Sequence, residues 1–180
     1  PSSSGKTTFA QRLSIQLRVN GVRPVTISLD DYFVDRENTP RDENGELDFE
    51  ALESIDIKLF NAHLTDLING REVEVPVFDF SKGKRSLTGR KMKIEEDRVL
   101  IIEGIHGLNE KLTSTIKRED KFKIYVSALT SMNIDDHNRI PTTDVRFIRR
   151  IVRDHQFRAS PAVETIKRWP SVRRGEVRNI

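Results

Sequence analysis

Pro1-Ser2-Ser3-Ser4-Gly5-Lys6-Thr7-Thr8 opens the chain. Residues 1–7 fill the last seven positions of the phosphate-binding loop G-x-x-x-x-G-K-[ST], whose first glycine would lie one residue earlier. In such a loop successive backbone N–H groups of residues 2–8 cradle phosphate, and Gly5 lets the backbone come close. Lys6 neutralises the β- and γ-phosphates and the Thr7 hydroxyl is a ligand for Mg²⁺. The plain alternative is a serine-rich terminus in front of an ordinary helix. The next ten residues argue against it. Phe9, Leu13, Ile15 and Leu17 fall near helical spacing, and a helix starting inside the Gly-Lys-Thr turn points its N-terminal dipole at the phosphates. Ser2, Ser3, Ser4, Gly5, Lys6, Thr7 and Thr8 are therefore the expected ATP phosphate site.

The loop ordinarily hangs from a buried strand. The far end, 173–180, stops in a charged stretch. Both ends suggest the central part of a longer protein, with residues 1–180 forming a single domain of this type. The length supports a full core. No apolar run approaches the eighteen residues of a membrane span, and no signal-peptide pattern is visible. The chain has no cysteine, which excludes disulfides and thiolate metal sites and suits a reducing cytoplasm. Net charge is only +3, but ten arginines lie between Arg139 and the end, while 32–50 is acidic. A diffuse basic surface would suggest nucleic acid. A basic cluster beside a phosphate loop more readily closes over a polyphosphate, so neither nucleic acid nor membrane is an expected partner.

Apolar runs alternate with helical patterns. Residues 25–29 read as a buried strand and 30–48 as a polar loop. Residues 49–68 form a helical region starting at Ser54 or Asp56, with Leu59, Phe60, His63, Leu64 and Leu67 on one face. Residues 73–80 alternate and contain Pro76, as an edge strand would. A turn at 81–85 comes next, and 91–94 can pair back as a hairpin. Residues 99–102 are the strongest buried strand, ending at Glu103. A short helix at 109–117, a buried strand at 122–126 and helices at 142–156 and from 161 complete the pattern. Strands separated by helices imply an α/β fold: a parallel sheet with helices on both faces, plus a small hairpin lid over substrate and an arginine-rich helical lid.

Ligands in such sheets bind at the carboxyl ends of the strands. The phosphate loop, Asp30-Asp31 and Glu103 all sit at such ends. Phosphoryl transfer needs a cradle, a metal, a group to orient the attacking oxygen and positive charge around the transferred group. The metal shell would be Thr7 with Glu103, and Asp30 directly or through water. Asp30 first, and Asp31 second, can accept a proton from a substrate hydroxyl, although an Asp-Asp pair also serves as a helix cap or a solvated turn. Arg146, Arg149, Arg150 and Arg153 recur at i, i+3, i+4 and i+7, one stripe of a helix. The stripe is either a solvated face paired with Asp144 and Asp154, or a lid whose arginines reach phosphate bidentately. His63, His106, His137 and His155 are scattered without ligand spacing, so no zinc site is expected.

Five blocks now stand in order: residues 1–8, Ile-Ser-Leu-Asp-Asp-Tyr-Phe at 27–33, Val-Pro-Val-Phe-Asp-Phe at 75–80, Ile-Ile-Glu-Gly-Ile at 101–105 and Arg-Arg-Ile-Val-Arg-Asp at 149–154. Together they resemble the uridine kinase and phosphoribulokinase family over nearly the whole chain. The resemblance implies a cytoplasmic, ATP- and Mg²⁺-dependent nucleoside kinase acting on a 5′-hydroxyl. It puts Asp30 on the catalytic base and Thr7 and Glu103 on metal positions. Phe33, Phe49, Phe78 and Phe80 fall on the nucleoside pocket wall. Glu50 and Arg150 fall where the family holds the ribose hydroxyls, and Arg153 and Arg158 on lid arginines that touch phosphate. The family reads pyrimidines with a tyrosine and a histidine, where this chain has Phe78 and Gly83. That opens the pocket to thymidine as well as uridine or cytidine, and a histidine at 83 would be expected to restore the family's preference. Other small-molecule acceptors of the same fold, such as a sugar phosphate or pantothenate, and a non-enzymatic nucleotide- or nucleic-acid-binding module, are the alternatives. Phe33, Phe78 and Phe80 favour a flat base. A homo-oligomer is compatible with the pattern. Similar domains also occur in longer bacterial proteins behind a region like the N-terminal part of threonyl-tRNA synthetase, a fusion that would suit the expected missing start.

Overall fold

A computed structural model of the chain describes residues 2–95, 98–127 and 133–179, so Pro1 of the opening motif lies outside the described residues. The architecture is α/β. Strands β1 (Arg23–Ser28) and β4 (Arg98–Glu103) pair in parallel, from Arg23 opposite Arg98 to Ser28 opposite Glu103. At their centres Val25 and Ile27 lie beside Leu100 and Ile102; Ile27 is buried, the other three are half-buried and Val99 is 44% exposed, so the run at 99–102 is less buried than its composition predicts. Helix α1 (Lys6–Val19) begins immediately after Gly5 and packs on both strands. The face it buries is not the apolar one. Ala10 and Ser14 are buried, while Phe9 and Ile15 are 40% and 56% exposed. Two small residues four positions apart let the helix backbone lie close to the strands, which bulkier side chains would hold off.

Strands β2 (Val73–Asp79) and β3 (Lys84–Met92) form the antiparallel hairpin, with a register shift between Glu74 and Pro76. Proline has no N–H to give the ladder, and a bulge is where it is tolerated. The returning strand is longer than 91–94 and starts right after the turn. Helix α2 (Ile57–Ile68) starts at Asp56, whose carboxylate accepts from the Leu59 N–H at 3.0 Å. Phe60, Leu64 and Leu67 point inward from it and join Ile27, Leu29, Val75 and Leu112 in one core. Tyr32 is fully buried there, edge-on to Phe60 with ring centroids 5.1 Å apart, and its hydroxyl lies 3.1 Å from His63 Nδ1. Burial is the main cause that pushes the Tyr32 pKa up to about 12.

Two expectations need correction. Residues 122–126 have no ladder partner among the described residues, and Phe122 is 91% exposed. An apolar run states a preference for burial but does not supply the neighbour that a strand requires. Residues 109–117 give only a 3-10 turn, Glu110–Thr113, capped by the Asn109 side chain accepting from the Lys111 N–H at 3.0 Å. Helices α3 (Thr142–Phe157) and α4 (Ala162–Asn179) pack on each other, and α4 runs well past 168 with Pro170 inside it.

Asp56 has two roles, since it also accepts a hydrogen bond from Arg85 Nη1 at 3.0 Å, tying the hairpin to α2. Asp56→Ala is expected to cost about 1–2 kcal/mol in urea unfolding. Asp56→Asn, which retains a cap oxygen, is expected to cost clearly less. Equal losses would show that the charge, not the cap, is what matters.

Candidate functional site

The β1–β4 register sets Ser28 beside Glu103 at the carboxyl ends of the two strands. Ser28 Oγ donates to Glu103 Oε1 at 3.0 Å, and Thr7 Oγ1 donates to the same oxygen at 3.0 Å. Ser28 Oγ also accepts from the Asp30 N–H at 3.3 Å, which starts the 3-10 turn Leu29–Tyr32 that presents Asp30. Three segments far apart in sequence thus meet through one serine hydroxyl and one carboxylate. Ser2, Lys6, Thr7, Asp30 and Glu103 line a cleft of about 960 Å³, open mouth included. Phe33, Phe49, Phe78 and Phe80 line the same cleft, as do Glu50, Arg150, Arg153 and Arg158.

The loop has the form an anion needs. Gly5 has φ +91° and Ser3 +54°, and Ser3 Oγ and Ser4 Oγ are buried without a hydrogen-bond partner among the described residues. Orphaned hydroxyls in a left-handed loop at a helix N-terminus fit phosphate oxygens. Burial lowers the Lys6 pKa, while Asp30, Glu103 and Glu50 pull it upward. Thr8 sits exposed on the first turn of α1, away from the cleft lining. Thr7 and Glu103 offer a hydroxyl and a carboxylate, the hard oxygen donors that Mg²⁺ takes while keeping waters and substrate phosphates. The described residues contain no cluster of three His, Cys, Asp or Glu side chains able to cage a metal. The donor set therefore fits a cation shared with phosphate.

The arginine stripe of α3 divides. Arg146 and Arg150 are buried, Arg153 is half-buried and Arg149 is exposed. Arg146 Nε donates to the Ser2 carbonyl at 3.0 Å, and its guanidinium pairs with Glu176 of α4. Glu176 in turn accepts from the Ser2 N–H at 2.9 Å. Arg150 Nη1 donates to Ser2 Oγ at 2.6 Å and to Glu50 Oε1 at 3.4 Å, and its Nε lies 3.3 Å from Asp154 Oδ2. Burial raises the Glu50 pKa, and Arg150 and Lys6 oppose that. Arg153 donates twice to Asp154 Oδ1, at 2.9 and 2.7 Å. Arg158 donates to Asp30 Oδ2 at 2.6 Å and lies 4.0 Å over the Phe80 ring. Asp31 is turned elsewhere, accepting from Arg90 Nη2 at 2.8 Å.

Phe33, Phe78 and Phe80 form a mutual wall, with centroid separations of 5.6, 6.1 and 5.0 Å. Phe49 lies 5.5 Å beneath Arg168. Gly83 has φ +67°, and a Cβ there would meet Arg36 Nε at 2.6 Å and Cζ at 2.7 Å. A histidine at 83 would need a strained left-handed backbone and would have to push the Arg36 side chain aside, so the expectation that it would restore a reading side chain carries that cost. His106 is 1% exposed, packed away from the cleft lining, with burial holding its pKa below the usual range. Sequence reasoning passed over Arg36 and Glu176. Asp154 it paired with the stripe only as a solvated face, although its place four residues after Arg150 and four before Arg158 is a helical-spacing signal for a shared partner.

The sequence model of the phosphoribulokinase/uridine kinase family matches residues 1–177. A uridine kinase of Mycoplasma genitalium is 31% identical over 172 residues, covering 95% of this chain and 71% of its own. One of Lactobacillus helveticus is 28% identical over 169 residues, covering 93% and 71%. Among solved structures, a protein of Silicibacter sp. TM1040 assigned as a fructose transport system kinase superposes with a TM-score of 0.60 at 18% identity, over 98% of this chain and 81% of that one. The last likeness concerns the fold alone.

Arg150 is hydrogen-bonded to the loop and to Glu50 and ion-paired with Asp154. Arg150→Ala takes one partner from each of two buried carboxylates, with Arg153 and Arg158 remaining on Asp154, and is expected to cost about 1.5–3 kcal/mol in denaturant unfolding. A loss below about 1 kcal/mol would mean that Arg150 is held for ligand contact and not for the fold.

Proposed function

The chain belongs to the phosphoribulokinase/uridine kinase family and is a small-molecule kinase; from that premise we propose that it transfers the γ-phosphate of ATP to the 5′-hydroxyl of a pyrimidine nucleoside. One observation carries the reading. Asp30 lines the same cleft as Lys6, Thr7 and the three phenylalanines, it interacts electrostatically with Lys6, and the Arg158 that it accepts from lies over the Phe80 ring, so an acceptor whose hydroxyl reaches Asp30 can face the phosphates while its ring meets the wall. The name uridine kinase carried by the relatives supports a nucleoside acceptor, and the aromatic wall supports a flat base over a sugar phosphate.

Each residue then has a part. Asp30 accepts the proton of the attacking hydroxyl, and Arg158, 2.6 Å away, fixes the direction of its carboxylate. The 2–8 loop holds the phosphates through backbone N–H groups and the serine hydroxyls. Lys6 and Arg153 face negative charge on the transferred group. Thr7 and Glu103 would hold Mg²⁺, which when bound neutralises charge between the β- and γ-phosphates. Glu50 and Arg150 flank the ribose hydroxyls. Phe33, Phe49, Phe78 and Phe80 pack the base and exclude water.

The test is ADP release from ATP and Mg²⁺ with uridine, cytidine and thymidine in turn. Lys6→Ala is expected to abolish turnover with the fold intact. Asp30→Asn is expected to lower kcat by roughly 10²–10⁴-fold, the range for a lost general base, with ATP binding retained. Asp31→Asn should do far less, because Asp31 is paired to Arg90. Arg153→Ala should lower kcat more than it raises the nucleoside KM. Release of ADP with ribulose 5-phosphate or pantothenate, and with no nucleoside, would overturn the reading.

A further inference from the structure

The edge of the aromatic wall carries a side chain that no motif singles out. Arg36 lies three residues after Phe33 and starts the 3-10 turn Arg36–Asn38. Its backbone N–H donates to the Gly83 carbonyl at 2.8 Å, and its Nη2 donates to the Phe80 carbonyl at 2.9 Å. The guanidinium lies on Gly83 where any other residue would place a Cβ. Arg36 is thus held at both ends against the hairpin turn, and it lines the cleft. Those contacts are all with the turn, whereas the phosphate loop is bonded to α3, α4 and Glu103. Among the described residues no carboxylate lies within ion-pair distance of Arg36, in contrast to Arg150, Arg153 and Arg158.

A guanidinium has five N–H donors and no acceptor. One is engaged by Phe80, which leaves donors for whatever the wall packs against. The two polar side chains set against Phe80, Arg36 on its carbonyl and Arg158 over its ring, are both guanidiniums, and a guanidinium can only donate. A ring carbonyl on the base satisfies it. An exocyclic amino group would face another donor, and Arg36, exposed in the free cleft, would then give up water to the docked base for no hydrogen bond in return.

We propose that Arg36 reads the base edge and makes the pocket select pyrimidines with a carbonyl at ring position 4, uracil and thymine, over cytosine with its amino group there. The proposal rests on the nucleoside kinase reading. Ring position 4 is the edge farthest from the ribose, as the hairpin turn is the part of the cleft without phosphate-loop contacts. The glycine at 83 makes room for this arginine, so one residue supplies the space for the reader that the other provides. A methyl group at ring position 5 meets no polar requirement from Arg36, so thymidine and uridine are treated alike.

The experiment has two arms on the purified protein, with wild type, Arg36→Ala and Arg36→Gln. In the first, kcat/KM is measured for uridine, thymidine and cytidine. In the second, binding of the same nucleosides is measured by calorimetry in the absence of ATP. Wild type is expected to favour uridine and thymidine over cytidine by roughly 10- to 100-fold, the worth of one hydrogen bond to a charged group. Arg36→Ala should bring that ratio near one with the melting temperature unchanged. Arg36→Gln, whose amide also accepts, should raise cytidine relative to uridine. An Arg36→Ala variant that weakens all three equally, or a wild type that prefers cytidine, overturns the proposal. Binding with the expected ratio but no phosphorylation of any nucleoside would overturn the kinase reading and leave the role of Arg36 standing.

Discussion

A buried guanidinium is tolerable only with a carboxylate against it, and that constraint organises the molecule. Asp154, 5% exposed, has Arg150, Arg153 and Arg158 gathered around it. Three cations crowded together would repel each other and resist dehydration. With Asp154 at the centre, and with Glu50, Asp30 and Glu176 at the periphery, the charges alternate through the space between α3, the phosphate loop and the aromatic wall. Of these groups all but Glu176 also line the cleft. Arg158 cannot be placed beside the Phe80 ring without also being placed on Asp30.

This network reaches the loop through Ser2, whose N–H, carbonyl and hydroxyl are each engaged by a charged side chain of α3 or α4. The sequence separations are 144 to 174 residues. A phosphate loop is commonly thought of as a local turn, complete in its own eight residues. Here its first part is held by the opposite end of the chain. Order in the loop and order in α3 and α4 are therefore one property, and a change in the ion pairs of α4 would be felt in the loop.

The parts of the fold that were legible in the sequence are those governed by local rules. The loop residues, the two parallel strands with their carboxyl ends to within a residue, a helix start at one of Ser54 and Asp56 and the arginine periodicity stem from spacing and from turn chemistry. What was not legible is pairing. An apolar run at 122–126 does not name its neighbour, and the strand it suggested does not form among the described residues. The apolar residues of α1 predicted the wrong inward face, because closeness to the sheet selected Ala10 and Ser14 over bulk. The stripe of α3 read as one surface, but its members take different depths according to which carboxylate each meets.

The contact between Arg36 and Gly83 shows the same limit at the site itself. Forty-seven positions separate them, and neither stands out by itself: one is an arginine in a polar loop, the other a glycine in a turn. The missing side chain at 83 reads in sequence as a loss of recognition, since a position that could hydrogen-bond has become one that cannot. In space it is an opening, filled by the guanidinium of another segment that is fixed by two backbone carbonyl and amide contacts. A binding function in this pocket therefore belongs to a volume and not to a sequence position. The residue that fills the volume can come from either side of the cleft, provided that the other side yields the space.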